Sequence, residues 1–135
     1  MASEEQGKAT IKKYMLDPDH MWSDHGIRTL SKNDPDYNNR NIIKPHSNWQ
    51  GPIWPIANYM YIHGLLNYGF KEEAIEAIKK VTEIVIDDIK KTGATHECYD
   101  AETGKPLAAD NFVSWNILVG NLLDEAVNNK NPFEV

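Results

Sequence analysis

Glu97 is a carboxylate whose sequence neighbours could hold it in one orientation, as acid–base chemistry requires. It lies in the stretch HECYDAETG, directly after His96 and two residues before Tyr99. Imidazole and phenol groups form hydrogen bonds that can fix a carboxylate in a catalytic site. Most glutamates, however, are solvated surface residues. The pattern therefore fits both a catalytic carboxylate and an ordinary loop glutamate.

A second group of candidate functional residues lies at the start of SNWQGPIWPIANYMYIHGLLNYGF, residues 47–70. Pro52 and Pro55 suit a turn and the first turn of a helix, which predicts a helix that begins near Pro55. Aromatic faces, an amide and free backbone N–H groups at such a helix start can bind a sugar ring and its hydroxyls. An aromatic plug that seals the helix end explains the same residues, and spacing alone favours it. The residues concerned are Trp49, Gln50, Gly51 and Trp54.

The five histidines and the single cysteine raise the question of a metal site. His20, Asp24 and His25 are close in sequence, but neither a C-x-x-C nor an H-E-x-x-H pattern occurs. Such patterns carry the ligand spacing of most zinc sites. The sequence therefore predicts no metal site, and it indicates no cofactor.

The composition of this 135-residue chain is that of a soluble globular protein with one domain, since 41% of its residues are hydrophobic and 25% are charged. A net charge of −6 without a basic cluster argues against nucleic acid as a partner. A single cysteine excludes an intramolecular disulfide framework. The sequence lacks both a run of about 18 apolar residues and an N-terminal apolar signal core. These features predict a cytoplasmic protein without a membrane span.

Helical periodicity predicts an all-α chain with no sheet of more than two short strands. Ser3 is expected to cap the first helix, Gly93 to end the third, and Asp110 or Asn111 to cap the fourth. Long irregular loops over 17–54 and 93–111 lead into the second and fourth helices. The four predicted helices lie near 4–16, 55–68, 71–91 and 112–128.

The distribution of apolar residues predicts which helices are buried. The second and fourth helices are apolar on most sides, which is typical of buried helices. The third has a single apolar stripe and charged residues elsewhere, which is typical of an outer, half-exposed helix. That stripe consists of Ala74, Ile75, Ile78, Val81, Val85 and Ile89. The order of a buried, an outer and a buried helix indicates helical hairpins stacked side by side.

Three sequence motifs follow one another along the chain: GIRTLS and DPDY within 26–37, NWQGPIWPIANY at 48–59 and HECYDAETG at 96–104. Together they resemble the late part of the catalytic domain in glycoside hydrolase family 63 and its relatives. The first motif, GIRTLS at 26–31, is followed by DPDY at 34–37 and resembles the family pattern G-[IL]-R-[ST]-L-S…D-P-x-Y. The second motif is NWQGPIWPIANY at 48–59. The third motif, HECYDAETG at 96–104, resembles E-x-Y-[ND]-x-x-T-G. The relatives include processing α-glucosidases, mannosylglycerate- and glucosylglycerate-hydrolase type enzymes and, more distantly, trehalases.

This resemblance implies an (α/α)6 toroid, of which residues 1–135 would form a single segment of about one third, at the C-terminal side of the catalytic domain. It implies that Glu97 is the general base of an inverting glycoside hydrolase. The family's general acid has no match at Asp24, Asp34 or Asp36, so the isolated chain is expected to be inactive. The expected substrate contacts are Trp49, Gln50, Gly51, Trp54, Tyr99 and Trp115.

The function expected from the resemblance is part of an enzyme that cleaves α-glucosides or α-mannosides. A non-catalytic helical module, which binds carbohydrate or another protein, is the alternative, because one catalytic carboxylate fits that function equally well. The second and fourth helices are apolar on more sides than the single outer helix can cover, which also predicts an exposed interface. Either another copy of this chain or the remainder of the toroid would cover it, unless the loop 17–54 folds back and leaves a monomer.

Overall fold

A computed structural model describes residues 3–43 and 47–128 of the chain. Within these residues the protein is helical, and its strands form two separate antiparallel pairs of two residues each, as the sequence predicts. We number the elements in chain order. They are α1 Glu4–Thr10, continued by a short π-helix Ile11–Met15, β1 Trp22–Ser23, β2 Gly26–Ile27, α2 Pro55–Asn67, α3 Lys71–Thr92, β3 Cys98–Tyr99, β4 Pro106–Leu107 and α4 Ile117–Asn128.

Local sequence signals correctly place the starts of α1 and α2 and the end of α3, whereas the helix predicted over 4–16 is an α-helix only to Thr10 and a π-helix from there to Met15. Ser3 caps α1 through a capping box, in which its hydroxyl accepts from the Gln6 backbone and the Gln6 side chain accepts from the Ser3 backbone. Pro55 is the first residue of α2. Gly93 ends α3 in the left-handed conformation, with φ of 78°.

The predicted start of the fourth helix near residue 112 is wrong, because α4 begins at Ile117. The backbone N–H of Phe112 donates to the carbonyl of Thr95 over 2.9 Å, and the Thr95 hydroxyl donates to the carbonyl of Phe112 over 2.7 Å. These bonds use the backbone groups of Phe112 for a loop contact. Asn111, an expected cap, has a positive φ of 54° and lies several residues before the helix.

The half-exposed character of α3 is confirmed, although its buried face differs from the predicted stripe. Ile89 is 48% exposed, whereas Asp88 is buried among the apolar residues of that face. The apolar residues on the buried face of α3 pack in the main core against Ile62 and Leu65 of α2 and Leu122 of α4. They are Ala74, Ala77, Ile78, Val81, Ile84 and Val85.

Helices α2 and α4 each keep apolar side chains on the surface. Met60 of α2 is 59% exposed, and Ile117 and Val127 of α4 are 67% and 80% exposed. Both helices nevertheless contribute fully buried side chains to the core. Their burial is therefore incomplete in this chain. No helix within residues 3–43 and 47–128 combines the length and the apolar content that crossing a bilayer needs.

The three sequence motifs contact one another through buried hydrogen bonds. The side chain of Asn58 accepts from the Ile27 backbone N–H over 2.8 Å and donates to the Ile27 carbonyl over 2.9 Å, which joins the second motif to the first. The backbones of Ile53 and Tyr99 exchange two hydrogen bonds of 2.7 and 2.9 Å, which joins the second motif to the third. These contacts bring residues far apart in sequence to one end of the helices.

Arg28 of the first motif holds the loop before α2 in place. Its buried guanidinium donates to the backbone carbonyls of Pro18, His20 and Trp22. It also forms an ion pair with Glu102 of the third motif, with 2.8 Å between Nη2 and Oε1. Irregular backbone needs such partners, because a buried carbonyl without a hydrogen bond is costly. Arg28 therefore explains how a loop with little regular structure stays ordered.

The ion pair predicts how stability depends on pH. Burial acts to raise the pKa of Glu102, but hydrogen bonds from Tyr37, Lys32 and Arg28 outweigh it and lower that pKa from 4.5 to about 2. A depressed folded-state pKa contributes stability that is fully present above pH 4.5 and is lost as the pH falls towards 2. In urea titrations over this pH range, we expect Glu102→Gln to remove part of the acid-induced loss of stability. Equal pH slopes for the wild type and the variant would contradict this prediction.

Candidate functional site

Glu97 lies in the loop between α3 and β3, and three hydrogen bonds hold it. Its backbone N–H donates to the carbonyl of Ala109 over 3.0 Å. Its own carbonyl accepts from the indole Nε1 of Trp115 over 3.2 Å. The hydroxyl of Ser47 donates to the carboxylate Oε1 over 3.0 Å. The loop glutamate is thus half-buried and oriented, with one carboxylate oxygen engaged by a neutral donor.

Three tryptophans form a contiguous cluster beside Glu97. Trp49 stacks on Trp54, with 3.8 Å between ring centroids and 15° between ring planes. Trp54 contacts Trp115, with a centroid distance of 5.6 Å. Because Trp115 also bonds to the Glu97 backbone, the cluster and the carboxylate share one end of the helices. The structure therefore brings the predicted carboxylate and the predicted aromatic residues together.

The outer and inner rings of the stack differ in exposure. Trp54 is fully buried, and its Nε1 donates to the carbonyl of Asn48 over 2.8 Å. Trp49 is 47% exposed and covers Trp54. Trp54 has the environment of the aromatic plug, whereas Trp49 keeps surface that a flat ligand could cover.

Gly51 and Tyr99 lack the exposed surface that a direct ligand contact requires. Gly51 is buried with φ of +148°, and a Cβ at this position would lie 2.6 Å from the carbonyl oxygen of Asn38. Glycine is therefore required for the close approach of the two backbones. Tyr99 is fully buried and donates its hydroxyl to Asp88. Burial raises the pKa of the Tyr99 phenol far above its usual value.

Gln50 is the exposed polar residue of the predicted sugar-binding set. Its side-chain oxygen accepts from the Asn38 amide over 3.1 Å, and its backbone N–H donates to the Asn48 side chain over 2.8 Å. With the oxygen engaged, the amide nitrogen is the group of Gln50 that is suited to donate to a hydroxyl. Gln50 and Trp49 thus present a donor and an aromatic face next to each other.

Sequence reasoning missed Ser47, which contacts the Glu97 carboxylate, and Asp88, which contacts both His96 and Tyr99. Asp88 could have been found from the apolar stripe of α3. It follows Val81 and Val85 at helical spacing, so a carboxylate falls on the face that turns towards the core. Ser47 gives no comparable signal, because its partner is 50 positions away.

The single cysteine and the histidines are the other candidates for reactive groups. Burial, followed by the charge of Glu97, raises the pKa of the Cys98 thiol to about 12, so the reactive thiolate is scarce at neutral pH. Among the residues that the structure describes, no group of three or more His, Cys, Asp or Glu side chains could hold a metal ion. His20, which is close to Asp24 and His25 in the sequence, lies with its Nδ1 2.8 Å from the Ser31 hydroxyl.

An open cleft of about 430 Å³ lies along α3, with Asp88 and Thr92 in its lining, and includes none of the predicted site residues. Its lining alternates lysines with carboxylates, so it carries no single sign of charge. The oriented carboxylate and the half-exposed tryptophan therefore mark the better candidate site.

Comparison of the chain with known proteins gives a consistent family assignment. Residues 3–125 match the family described as the glycosyl hydrolase family 63 C-terminal domain. A probable mannosyl-oligosaccharide glucosidase of Schizosaccharomyces pombe is 30% identical over 132 residues, which cover 90% of this chain and 16% of that protein. The mannosyl-oligosaccharide glucosidase of Saccharomyces cerevisiae is 32% identical over 123 residues, which cover 81% of this chain and 14% of that protein. This chain thus spans only a small part of the length of these relatives.

A similar fold occurs in the crystal structure of a family 63 mannosylglycerate hydrolase from Thermus thermophilus in complex with Tris and D-glycerate. The TM-score is 0.69 at 18% sequence identity, over 91% of this chain and 27% of that chain. Family 63 enzymes have an (α/α)6 fold. The predicted fold class, helical hairpins that form part of an (α/α)6 toroid, is confirmed.

Matched substitutions in the tryptophan stack should separate its inner and outer rings. Trp54→Phe leaves a cavity and a buried Asn48 carbonyl without its donor, so we expect it to lower the free energy of unfolding by about 2–4 kcal/mol. Trp49→Phe keeps a stacked ring at a half-exposed position and should cost less than about 1 kcal/mol. Urea denaturation of both variants measures the difference. Equal costs would show that the two rings are packed alike.

Proposed function

The chain belongs to glycosyl hydrolase family 63, and from this membership we propose that it supplies the general base and part of the sugar subsite of an inverting glycosidase. Glu97 is the base in this proposal. The observation that carries it is the Ser47–Glu97 hydrogen bond, which orients the carboxylate, and the half-exposed Trp49 lies two residues after Ser47 in the sequence. An oriented carboxylate next to an aromatic platform is the arrangement that sugar hydrolysis needs on the side of the attacking water.

The proposed mechanism divides the work between two carboxyl groups. Ser47 engages Oε1 of Glu97, and Oε2 accepts a proton from the water that attacks the anomeric carbon. A carboxylic acid on the opposite face of the sugar protonates the leaving oxygen. In inverting enzymes the two groups are about 6.5–9.5 Å apart. No carboxylate of the first motif region matches the acid, so the proposal assigns it to another part of the toroid.

The substrate proposed is an α-linked glucoside or mannoside. Two similar proteins are named mannosyl-oligosaccharide glucosidases, and a protein of similar fold is named a mannosylglycerate hydrolase. We assign the platform to the half-exposed Trp49 and the donor to Gln50, with Trp115 at the edge of the cluster. Trp54, Gly51 and Tyr99 shape the subsite from behind, since they lack exposed surface.

The surfaces of α2 and α4 supply the proposed interface. Met60, Ile117 and Val127 are more than half exposed, and apolar patches on folded proteins commonly mark interaction sites. In a complete toroid, neighbouring hairpins cover such flanks. We propose that further hairpins or another copy of this chain cover them, while the platform and Glu97 remain open to sugar.

The first prediction of this proposal concerns sugar binding and turnover. Glucose or mannose should change the tryptophan fluorescence of the chain weakly, and Trp49→Ala should abolish that change. The chain alone should release no sugar at a useful rate from α-linked disaccharides or glucosylglycerate, because general acid catalysis is typically worth about 10²–10⁴-fold.

The control for turnover is a pair of matched variants. The chain alone could nevertheless show turnover. If Glu97→Gln abolishes that activity and the exposed Glu72→Gln retains it, a carboxylate of this chain or of another copy replaces the missing acid. Weak sugar binding that never leads to turnover, even after addition of the remaining toroid, would favour the non-catalytic module. Absence of any sugar binding, even after addition of the remaining toroid, would contradict the glycosidase function and the carbohydrate-binding module, and would favour a module that binds another protein.

The second prediction concerns assembly. We expect size-exclusion chromatography with light scattering to give a species heavier than 15.4 kDa at tens of micromolar protein. Replacing Ile117 and Val127 by serine should shift the population towards the monomer, because it removes apolar contacts from the exposed flank. A monodisperse monomer that binds no dye for apolar surfaces would rule self-association out.

A further inference from the structure

Asp88 is a buried carboxylate of α3 that contacts two residues of the third motif, His96 and Tyr99. Its side chain is 1% exposed and accepts hydrogen bonds from three residues. The Thr92 hydroxyl donates to Oδ1 over 3.0 Å, while His96 Nδ1 and the Tyr99 hydroxyl donate to Oδ2 over 2.8 and 3.1 Å. A buried carboxylate is costly unless donors surround it. These three donors provide that environment.

The partners of Asp88 lie on both sides of Glu97 in the sequence. His96 is the preceding residue, and Tyr99 is two residues later. A single side chain of the rigid helix α3 thus fastens the segment that carries Glu97 at two points. The His96 carbonyl is also held, because the Asn116 amide donates to it over 2.9 Å.

We propose that Asp88 is a positioning residue that sets the orientation of Glu97 through His96 and Tyr99. This proposal rests on the proposed role of Glu97 as the general base. Asp88 itself touches no substrate. An ionised carboxylate only accepts hydrogen bonds, so it fixes the proton of His96 on Nδ1 and turns the Tyr99 hydroxyl towards α3. The side chains of His96 and Tyr99 are then each held in one orientation, and the peptide of Glu97 between them is held as well.

Two substitutions of similar shape separate hydrogen bonding from packing. Asp88→Leu places an apolar side chain on the apolar face of α3 but removes every acceptor. Asp88→Asn keeps one side-chain oxygen, which can still accept from His96 and Tyr99 while its amide faces Thr92. If Asp88 served only to stabilise the fold, a folded Asp88→Leu variant would leave the position of Glu97 unchanged. Asp87→Leu is the matched control, since Asp87 is exposed and pairs with Lys91.

Nitrogen-15 NMR of the full chain reads the position of Glu97 directly. The indole Nε1–H of Trp115 donates to the Glu97 carbonyl, so its resonance and exchange rate report that contact. In Asp88→Leu we expect the Trp115 indole signal to move and to exchange faster, and the Nδ1–H form of His96 to be lost. Asp88→Asn and Asp87→Leu should keep both signals. A folded Asp88→Leu with both signals unchanged overturns the proposal.

If Asp88→Leu does not fold, Tyr99→Phe provides the second test, because it keeps the buried ring and removes one of the two fastening bonds. We expect the Trp115 signal to shift in this variant while His96 keeps its Nδ1 proton. An unmoved Trp115 signal overturns the proposal.

Sugar titration distinguishes this inference from the proposed function. Asp88→Leu should bind glucose or mannose as the wild type does, because Trp49 and Gln50 are not among the partners of Asp88. Loss of sugar binding in this variant would make Asp88 a general support of the pocket and would overturn its specific role. If the wild type binds no sugar while the Trp115 and His96 signals respond as expected, the proposed function fails and the positioning of Glu97 stands.

Discussion

The structure depends on the buried guanidinium of Arg28. Few residues between the π-helix and α2 form regular structure, so most of their backbone carbonyls lack the partners that a helix or strand supplies. The Arg28 guanidinium donates hydrogen bonds to three of these carbonyls and also pairs with Glu102, 74 positions later. Lysine could not replace it, because a single ammonium group lacks the planar fork of donors that reaches several acceptors at once. The first motif is thereby fastened to the third, and both can support the second.

The polar atoms of the tryptophan side chains explain how one cluster can both pack and expose a surface. The indole nitrogens of Trp54 and Trp115 are used to hold the backbones of Asn48 and Glu97. Their rings then fill the space behind Trp49, which is supported in one orientation and remains half exposed. The inner ring, Trp54, has the environment of the plug, and the half-exposed outer ring, Trp49, is the one that we propose as the platform. A rigid, supported ring loses little freedom when a ligand covers it.

Local signals in the sequence predicted the helices well because each signal acts within a few residues. Proline at the start of α2, the capping box at Ser3 and glycine after α3 impose backbone angles directly. The start of α4 was predicted too early, because Thr95, a residue from another loop, binds the backbone of Phe112. Tertiary contacts of this kind leave no mark on periodicity. The grouping of Glu97 with the tryptophans followed from the family resemblance, while the partners of Asp88 and the close approach at Gly51 required coordinates.

The hydrogen bonds between the motifs also set the order in which the protein can fold. The α2–α3 hairpin closes across a few residues, whereas the contact of Ser47 with Glu97 closes a loop of 50 positions and that of Arg28 with Glu102 one of 74. Long loops cost more entropy to close, so distant pairs form late unless other contacts have shortened the search. The hairpin is therefore the natural nucleus, and the segment with Glu97 docks onto it afterwards. A nascent chain released before residue 97 would contain α1, α2 and α3 but would lack α4 and every contact that holds Glu97.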